Sequence, residues 1–264
     1  MINIFQSIIL GVVQSISEFL PISSSGHLAV IPQFFDWKLQ SLSFDIALHL
    51  GTAIAVIAFF WKDWVKLIKA FVQTIKNRKL QTPDEKLIWY IIAATIPAAV
   101  AGYFFESQIE NIFRHPPTIS YAFLFTAFVL YISDGWNQKN LEIKSLKFFQ
   151  ALIVSLAQVI ALMPGISRSG MTIAAGRFIG LTRENAARFS FLLATPIILG
   201  AAIFSIKDFV FENIPALILG TVVSAFVGYF AIKWFLIFIK KYPLWYFSVY
   251  LVILALLTLS YFSL

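Results

Sequence analysis

Long apolar runs, interrupted at two places by compact polar knots, set the pattern of this chain. The runs 44–61, 87–105, 118–133, 186–206, 214–239 and 244–262 each approach or exceed the ~20 residues a helix needs to cross a hydrocarbon core. Two other stretches behave differently. Residues 1–20 are nearly long enough, but Gln14 and Glu18 fall in their second half. Pro21 and a serine cluster then end the helix, and a short apolar piece, 27–36, follows. Residues 147–163 are broken in the same way by Pro164-Gly165 and a Ser-Arg-Ser-Gly knot, with a short piece, 171–180, beyond. Two short pieces around a polar turn predict a re-entrant hairpin. Irregular backbone at membrane depth is tolerated only where protein buries it or it lines a wet cavity. The expected fold is an all-α integral membrane protein with six transmembrane helices and two re-entrant helix hairpins, in one polytopic domain over 1–264.

Charge gives these elements a direction. The stretch 62–86 carries Lys62, Lys66, Lys69, Lys76, Arg78, Lys79 and Lys86 against Asp63, Asp84 and Glu85, which predicts a cytoplasmic loop. Trp64, Leu67, Ile68, Phe71 and Ile75 at helical spacing predict an amphipathic surface helix within it. Lys139, Lys144 and Lys147 against Asp134 and Glu142, and later Arg183, Glu184 and Arg188, mark two more cytoplasmic segments. The loop with Glu106, Glu110 and Arg114, ahead of Pro116-Pro117, is expected outside. Lys207, Asp208 and Glu212 separate spans four and five, and Lys240 and Lys241 separate five and six. Both termini then fall on the external face. Pro97 and Pro196 read as kinks.

Composition narrows the class. Only 12% of the 264 residues are charged and 59% are hydrophobic, against ~25% charged in a soluble domain. The net charge of +7 is grouped as a topology signal, with no nucleic-acid motif in any basic stretch. The absence of cysteine excludes disulfides, thiolate metal sites and Cys nucleophiles. The first basic side chain is Lys38, so the N-terminus lacks the positive region of a removable signal.

The two knots are related. Sliding residues 14–26 by 144 positions onto 158–170 matches Gln14, Ile16, Ile22, Ser23, Ser25 and Gly26 with identical residues, six of thirteen without a gap. Three spans separate the hairpins, so the second copy is expected inverted relative to the first, with repeats of about 1–133 and 147–262. Broken helices meeting near the midplane of such a repeat point to a binding site.

The residues in the knots suit an oxyanion. Ionisable groups at membrane depth are functional candidates by default. Each knot precedes a short helix, expected to start near His27 and near Met171, and helix N-termini bind anions. Arg168 adds a charged planar fork for phosphate oxygens. Ser23, Ser25, Ser167, Ser169 and Thr172 add hydroxyls, and Gly26, Gly165 and Gly170 would let backbone approach a ligand. Gln14 and Glu18, four apart, share a helix face. Ser24, His27 and Glu18 supply a nucleophile, an acid/base and an orienter or metal ligand. Glu18 beside a diphosphate calls for a divalent cation, Mg²⁺ or Ca²⁺. His49, in span one without polar neighbours, and His115 read as structural. Arg177, Arg183 and Arg188 read as rim charges.

The segments Glu18-Phe-Leu-Pro-Ile-Ser-Ser-Ser-Gly-His27 and Pro164-Gly-Ile-Ser-Arg-Ser-Gly-Met-Thr172 resemble the bacterial undecaprenyl-diphosphate phosphatase family of the bacitracin-resistance type. The likeness extends through Gly176, Arg188-Phe-Ser-Phe-Leu-Leu193 and Pro196, and the hydropathy pattern matches along almost the whole chain. The resemblance implies removal of the terminal phosphate of a polyprenyl diphosphate, recycling the lipid carrier for cell-wall synthesis. It also implies a divalent cation, a bacterial plasma-membrane location and a site open to the outer face. It places the family's acidic motif on Gln14 and Glu18, the proposed nucleophile on Ser24, the catalytic His on His27 and the phosphate-binding Arg on Arg168. Gln14 departs from the Glu that many members carry, which leaves Glu18 the one clear carboxylate. Attack by Ser24 and attack by a water activated by His27 both stay open. So does the oligomeric state, a homodimer included. The competing class is a transporter or flippase of an anionic lipid or phosphate, since broken inverted repeats also build carriers. No nucleic-acid partner is expected; membrane lipids are.

Overall fold

The structure, a computed structural model, describes residues 2–113, 115–136, 140–205, 207, 209–211 and 213–262, with backbone alone for 106–113. Arg114, Lys139, Asp208 and Glu212, which entered the charge pattern, lie outside the described residues. All the regular elements described are helical: α1 Ile4–Phe19, α2 Ser24–Phe34, α3 Leu42–Phe59, α4 Trp61–Asn77, α5 Pro83–Phe113, α6 Pro116–Trp136, α7 Phe148–Ile160, α8 Arg168–Phe178, α9 Arg183–Ser205, α10 Ile214–Lys241 and α11 Trp245–Phe262, with one 3-10 turn at Ile143–Ser145. Helices α3, α5, α6, α9, α10 and α11 are long and apolar enough to cross a membrane. α1 and α7 are shorter apolar helices.

The boundaries follow local chemistry. α1 opens with a reciprocal Asn3–Gln6 capping box and stops before Pro21, whose ring disfavours helix at the residue ahead of it. α4 is the helix that the amphipathic spacing predicted, but its buried strip is Leu67, Ala70 and Thr74; of the expected apolar positions only Leu67 is in it, and Ile68 and Ile75 are exposed. Two further expectations need correction. The segment 106–113, expected as loop, continues α5 as helix, because nothing breaks the helix before Pro116-Pro117. The helices after the knots begin at Ser24 and Arg168, three residues earlier than expected. Ser23 and Ser167 explain this. Each caps its helix by accepting from the backbone N–H three residues on, Gly26 and Gly170.

Hydroxyl and small residues join the helices where no water drives their association. Ser15 on α1 donates to the Ser224 carbonyl on α10 at 2.8 Å, and the Ser224 hydroxyl donates to the Leu48 carbonyl on α3 at 2.8 Å. Ser155 on α7 likewise donates to the Ala94 carbonyl on α5 at 2.7 Å. α1 and α3 both pack on α10, as α7 and α9 both pack on α5, while α6 and α11 pack together. A ladder of rings, Phe19, Phe191 and Phe235, fills the centre. The outer faces stay apolar and exposed, for example Val222, Phe226 and Phe230 on α10 and Ile253, Leu256 and Leu257 on α11.

One end of the bundle is clasped by charge. Arg183 and the backbone N–H of Leu244 both donate to the Asp134 carboxylate, at 3.0 and 2.9 Å to Oδ2. Arg188 pairs with Asp63 at 3.2 Å and stacks over Phe60, and Lys240 pairs with Glu184 at 3.0 Å. Apart from Lys240 and Leu244, the charged and polar groups of this clasp belong to the segments whose charges predicted a cytoplasmic side.

Candidate active site

The two polar turns meet. Ser25 Oγ accepts from the Gly165 N–H at 3.4 Å, and Ser169 Oγ donates to the Leu20 carbonyl at 2.9 Å. Each turn therefore touches the other through the serine two residues past its cap. The hydroxyls of Ser23 and Ser25 lie 3.3 Å apart, and those of Ser167 and Ser169 3.2 Å apart. α6 braces both turns. A Cβ at Gly26 would collide with Phe123, and one at Gly170 would crowd Thr126, 3.1 Å away. Thr126 Oγ1 also accepts from the Ser167 N–H at 3.3 Å. The glycines expected to admit a ligand admit α6 instead.

Between the turns, Glu18 gathers a buried network although it is only 7% exposed. Its Oε1 accepts from Arg168 Nη2 at 2.7 Å, and its Oε2 accepts from Ser24 Oγ at 2.6 Å and from Gln14 Nε2 at 3.3 Å. A second nitrogen of Arg168, Nη1, donates to the Ser190 carbonyl on α9 at 3.3 Å. Breaking a buried pair of this kind by removing one partner costs about 3–5 kcal/mol, because the other charge is left uncompensated.

The cluster faces a cavity of about 580 Å³. Glu18, Ser23, Ser24, Ser25, Ser167, Arg168 and Ser169 line its polar end, where the N-termini of α2 and α8 add two partial positive charges. Its other walls are mostly apolar, with Ala98, Ala99 and Gly102 of α5 and Pro196, Ile197 and Phe204 of α9, interrupted by Asp45, His49, Thr95 and Gln158. A charged headgroup at one end and a hydrocarbon tail at the other match this division.

Five expected site residues stand behind the wall. Gly26 and Gly170 face α6. Thr172 is fully buried, donating to the Arg168 carbonyl at 2.8 Å and sharing a hydrogen bond with Ser190 at 2.7 Å. Gln14 reaches the site only through Glu18. The fifth is His27, which is 3% exposed and turned away. Its Nδ1 lies 2.7 Å from the Ser23 carbonyl, which can only accept, so Nδ1 carries the proton. Nε2 then accepts from the Tyr250 hydroxyl at 2.7 Å. Both ring nitrogens are committed, and the ring stacks on Tyr250 with centroids 5.7 Å apart. His27 holds the turn from which Ser24 projects.

The imidazole on the cavity is His49, which the sequence reading set aside. Its Nδ1 donates to the Asp45 carbonyl one turn earlier at 2.8 Å, which leaves Nε2 facing Glu18 Oε2 at 3.9 Å. Its side chain is 35% exposed. Asp45 lines the same wall. The spacing Asp45-x-x-x-His49 within an apolar span was the available signal. What it missed was the polar neighbour on another helix.

As a home for a resident metal the donor set does not fit. Among the described residues no three His, Asp or Glu side chains group together. Both Glu18 oxygens already hold donors, one of them a guanidinium.

Comparison with known proteins adds a family. The family described as bacitracin resistance protein BacA matches residues 7–257. A protein of Pelotomaculum thermopropionicum is 43% identical over 235 residues, 89% of this chain and 87% of its own length. Proteins of Moorella thermoacetica and Geotalea daltonii are each 41% identical, with 98% of both chains covered. All three bear the name undecaprenyl-diphosphatase.

Proposed function

The chain belongs to the bacitracin resistance protein BacA family, and from that premise we propose that it hydrolyses undecaprenyl diphosphate to undecaprenyl phosphate and inorganic phosphate, returning the lipid carrier to cell-wall synthesis. It is an enzyme and a multi-pass membrane protein. The observation that carries the reading is the Ser24 hydroxyl, 2.6 Å from a carboxylate that also holds Arg168 at 2.7 Å. A carrier needs the anion clamp but has no need of a hydroxyl set against a base.

In this reading Arg168 and the two helix N-termini bind the diphosphate, and the tail lies along the walls of α5 and α9. Ser24 Oγ attacks the terminal phosphorus and its proton passes to Glu18. The bridging P–O bond breaks, with the electron pair leaving on undecaprenyl phosphate. Water then hydrolyses the phosphoserine, releasing phosphate and restoring the Ser24 hydroxyl. His49 Nε2 stands beside Glu18 where that water is activated. Positioning and charge neutralisation supply most of what phosphoryl transfer requires. A divalent cation, Mg²⁺ or Ca²⁺, would come with the diphosphate and neutralise its charge, held chiefly by phosphate oxygens, with Glu18 the carboxylate the sequence offers.

The two hairpins are read as re-entrant halves of an inverted repeat, about 1–133 and 147–262. The reciprocal contacts of Ser25 and Ser169 and the paired packing on α10 and α5 support this. The location is the bacterial plasma membrane. The charged clasp lies inside, so the cavity walls toward the far ends of α5 and α9, Tyr103 and Ser205, lie outward. Phosphate release from a polyprenyl diphosphate by purified protein in detergent tests the function. Glu18→Gln and Arg168→Gln are expected to lower the thermal midpoint and, for the fraction that is folded, to lose about 10²–10³-fold in kcat, as when a preorganised electrostatic partner is removed. Wild-type protein inert across varied divalent cations would overturn it.

A further inference from the structure

The reaction as described leaves Gln158 unused. It lies on α7, one turn before the second polar knot, and lines the cavity with Ala161 and Leu162 of that wall and Thr95 and Ala98 of α5. It is 2% exposed, and neither its amide oxygen nor its amide nitrogen has a hydrogen-bond partner among the described residues. Gln14, at the matching position of the first knot, is equally buried but commits its nitrogen to Glu18 at 3.3 Å.

An unbonded amide in an apolar wall costs stability that Leu or Met of similar size would not. Groups left unpaired in this way mark places where stability is given up for function. The substrate narrows what the amide can meet. An isoprenoid tail has neither donor nor acceptor, whereas a diphosphate is rich in acceptor oxygens. We propose that Gln158 is a substrate-binding residue whose Nε2 donates to a non-bridging oxygen of the diphosphate, a neutral donor on the cavity that Arg168 also lines. The inference rests on the diphosphatase reading of the same cavity.

The test uses full-length protein in detergent with farnesyl diphosphate as probe. Wild type, Gln158→Leu and Gln158→Glu are compared for thermal midpoint, KM and kcat. The expected result for Gln158→Leu is an unchanged or raised midpoint with KM raised about tenfold or more, the loss of one hydrogen bond to a charged oxygen. Gln158→Glu loses more, because its carboxylate repels the phosphates. A wild-type KM in Gln158→Leu at a raised midpoint would overturn the proposal, showing an inert amide. So would a lowered midpoint with activity following the folded fraction, showing a structural one. Wild type that releases no phosphate would sink the diphosphatase reading itself, which keeps the two failures apart.

Discussion

The first and second polar turns are built alike and differ in two places. Both use a serine cap, a second serine two residues on and a glycine pressed against α6. They differ first in the residue that opens the helix, Ser24 in one and Arg168 in the other. They differ second in where the backbone is strained. Ser23 has φ +71°, whereas Ser167 is relaxed at −75° and the positive φ of the second turn, +89°, falls on Gly165. Two similar turns thus hold unlike chemistry at one register, with a hydroxyl from one and a guanidinium from the other on the same carboxylate.

Loss of the hydroxyl should have the largest effect. Ser24→Ala is expected to lower kcat on the order of 10³-fold or more, because removal of a nucleophile leaves only binding and electrostatic stabilisation. Ser25→Ala and Ser169→Ala remove two neutral hydrogen bonds each, worth about 1 kcal/mol apiece, and should stay within about thirtyfold. Equal losses at all three serines, in steady-state kinetics with a polyprenyl diphosphate, would erase the division between the turns.

The next largest effect separates the two imidazoles. His49→Gln should reduce kcat about 10²-fold, the lower range for a positioned acid/base group, with the thermal midpoint held. His27→Gln should lose activity together with thermal midpoint, because His27 acts by fixing the Ser23 carbonyl and so the first turn of α2. Reversal of these two patterns would return the acid/base role to His27.

These contrasts also mark what the chain reveals before it folds. The long apolar runs between charged segments were sufficient to place all six long helices, because length and hydropathy are local properties. The anion cluster was legible in Glu18, Ser24 and Arg168, since polar groups in an apolar run have few other uses. Helix starts were misplaced because a serine that caps a helix and a serine in a loop look the same in sequence. His49 was set aside because Glu18 reaches it from another helix, and the turn of His27 away from the cavity was not legible because its partner, Tyr250, lies 223 positions away. Gln158 was noticed only as the match of Gln14, and its unpaired burial is a tertiary fact.

The smallest predicted effect bears on the strain. Replacing a serine cap with glycine costs a few tenths of a kcal/mol in capping. Glycine also brings about 0.5–1 kcal/mol of added unfolded-state entropy. At Ser167, with φ −75°, nothing offsets these costs, so Ser167→Gly should lose about 1 kcal/mol. At Ser23, with φ +71°, the same costs are set against relief of a left-handed backbone, about 1–3 kcal/mol. Ser23→Gly should therefore fall between a loss of about 0.5 kcal/mol and a gain of about 2 kcal/mol, the relief less the two costs. Reversible unfolding of both variants in the same detergent measures the gap directly. If Ser23→Gly loses as much as Ser167→Gly, the first turn stores no strain, and Ser24 is held by the His27 bond and the Ser23 cap alone.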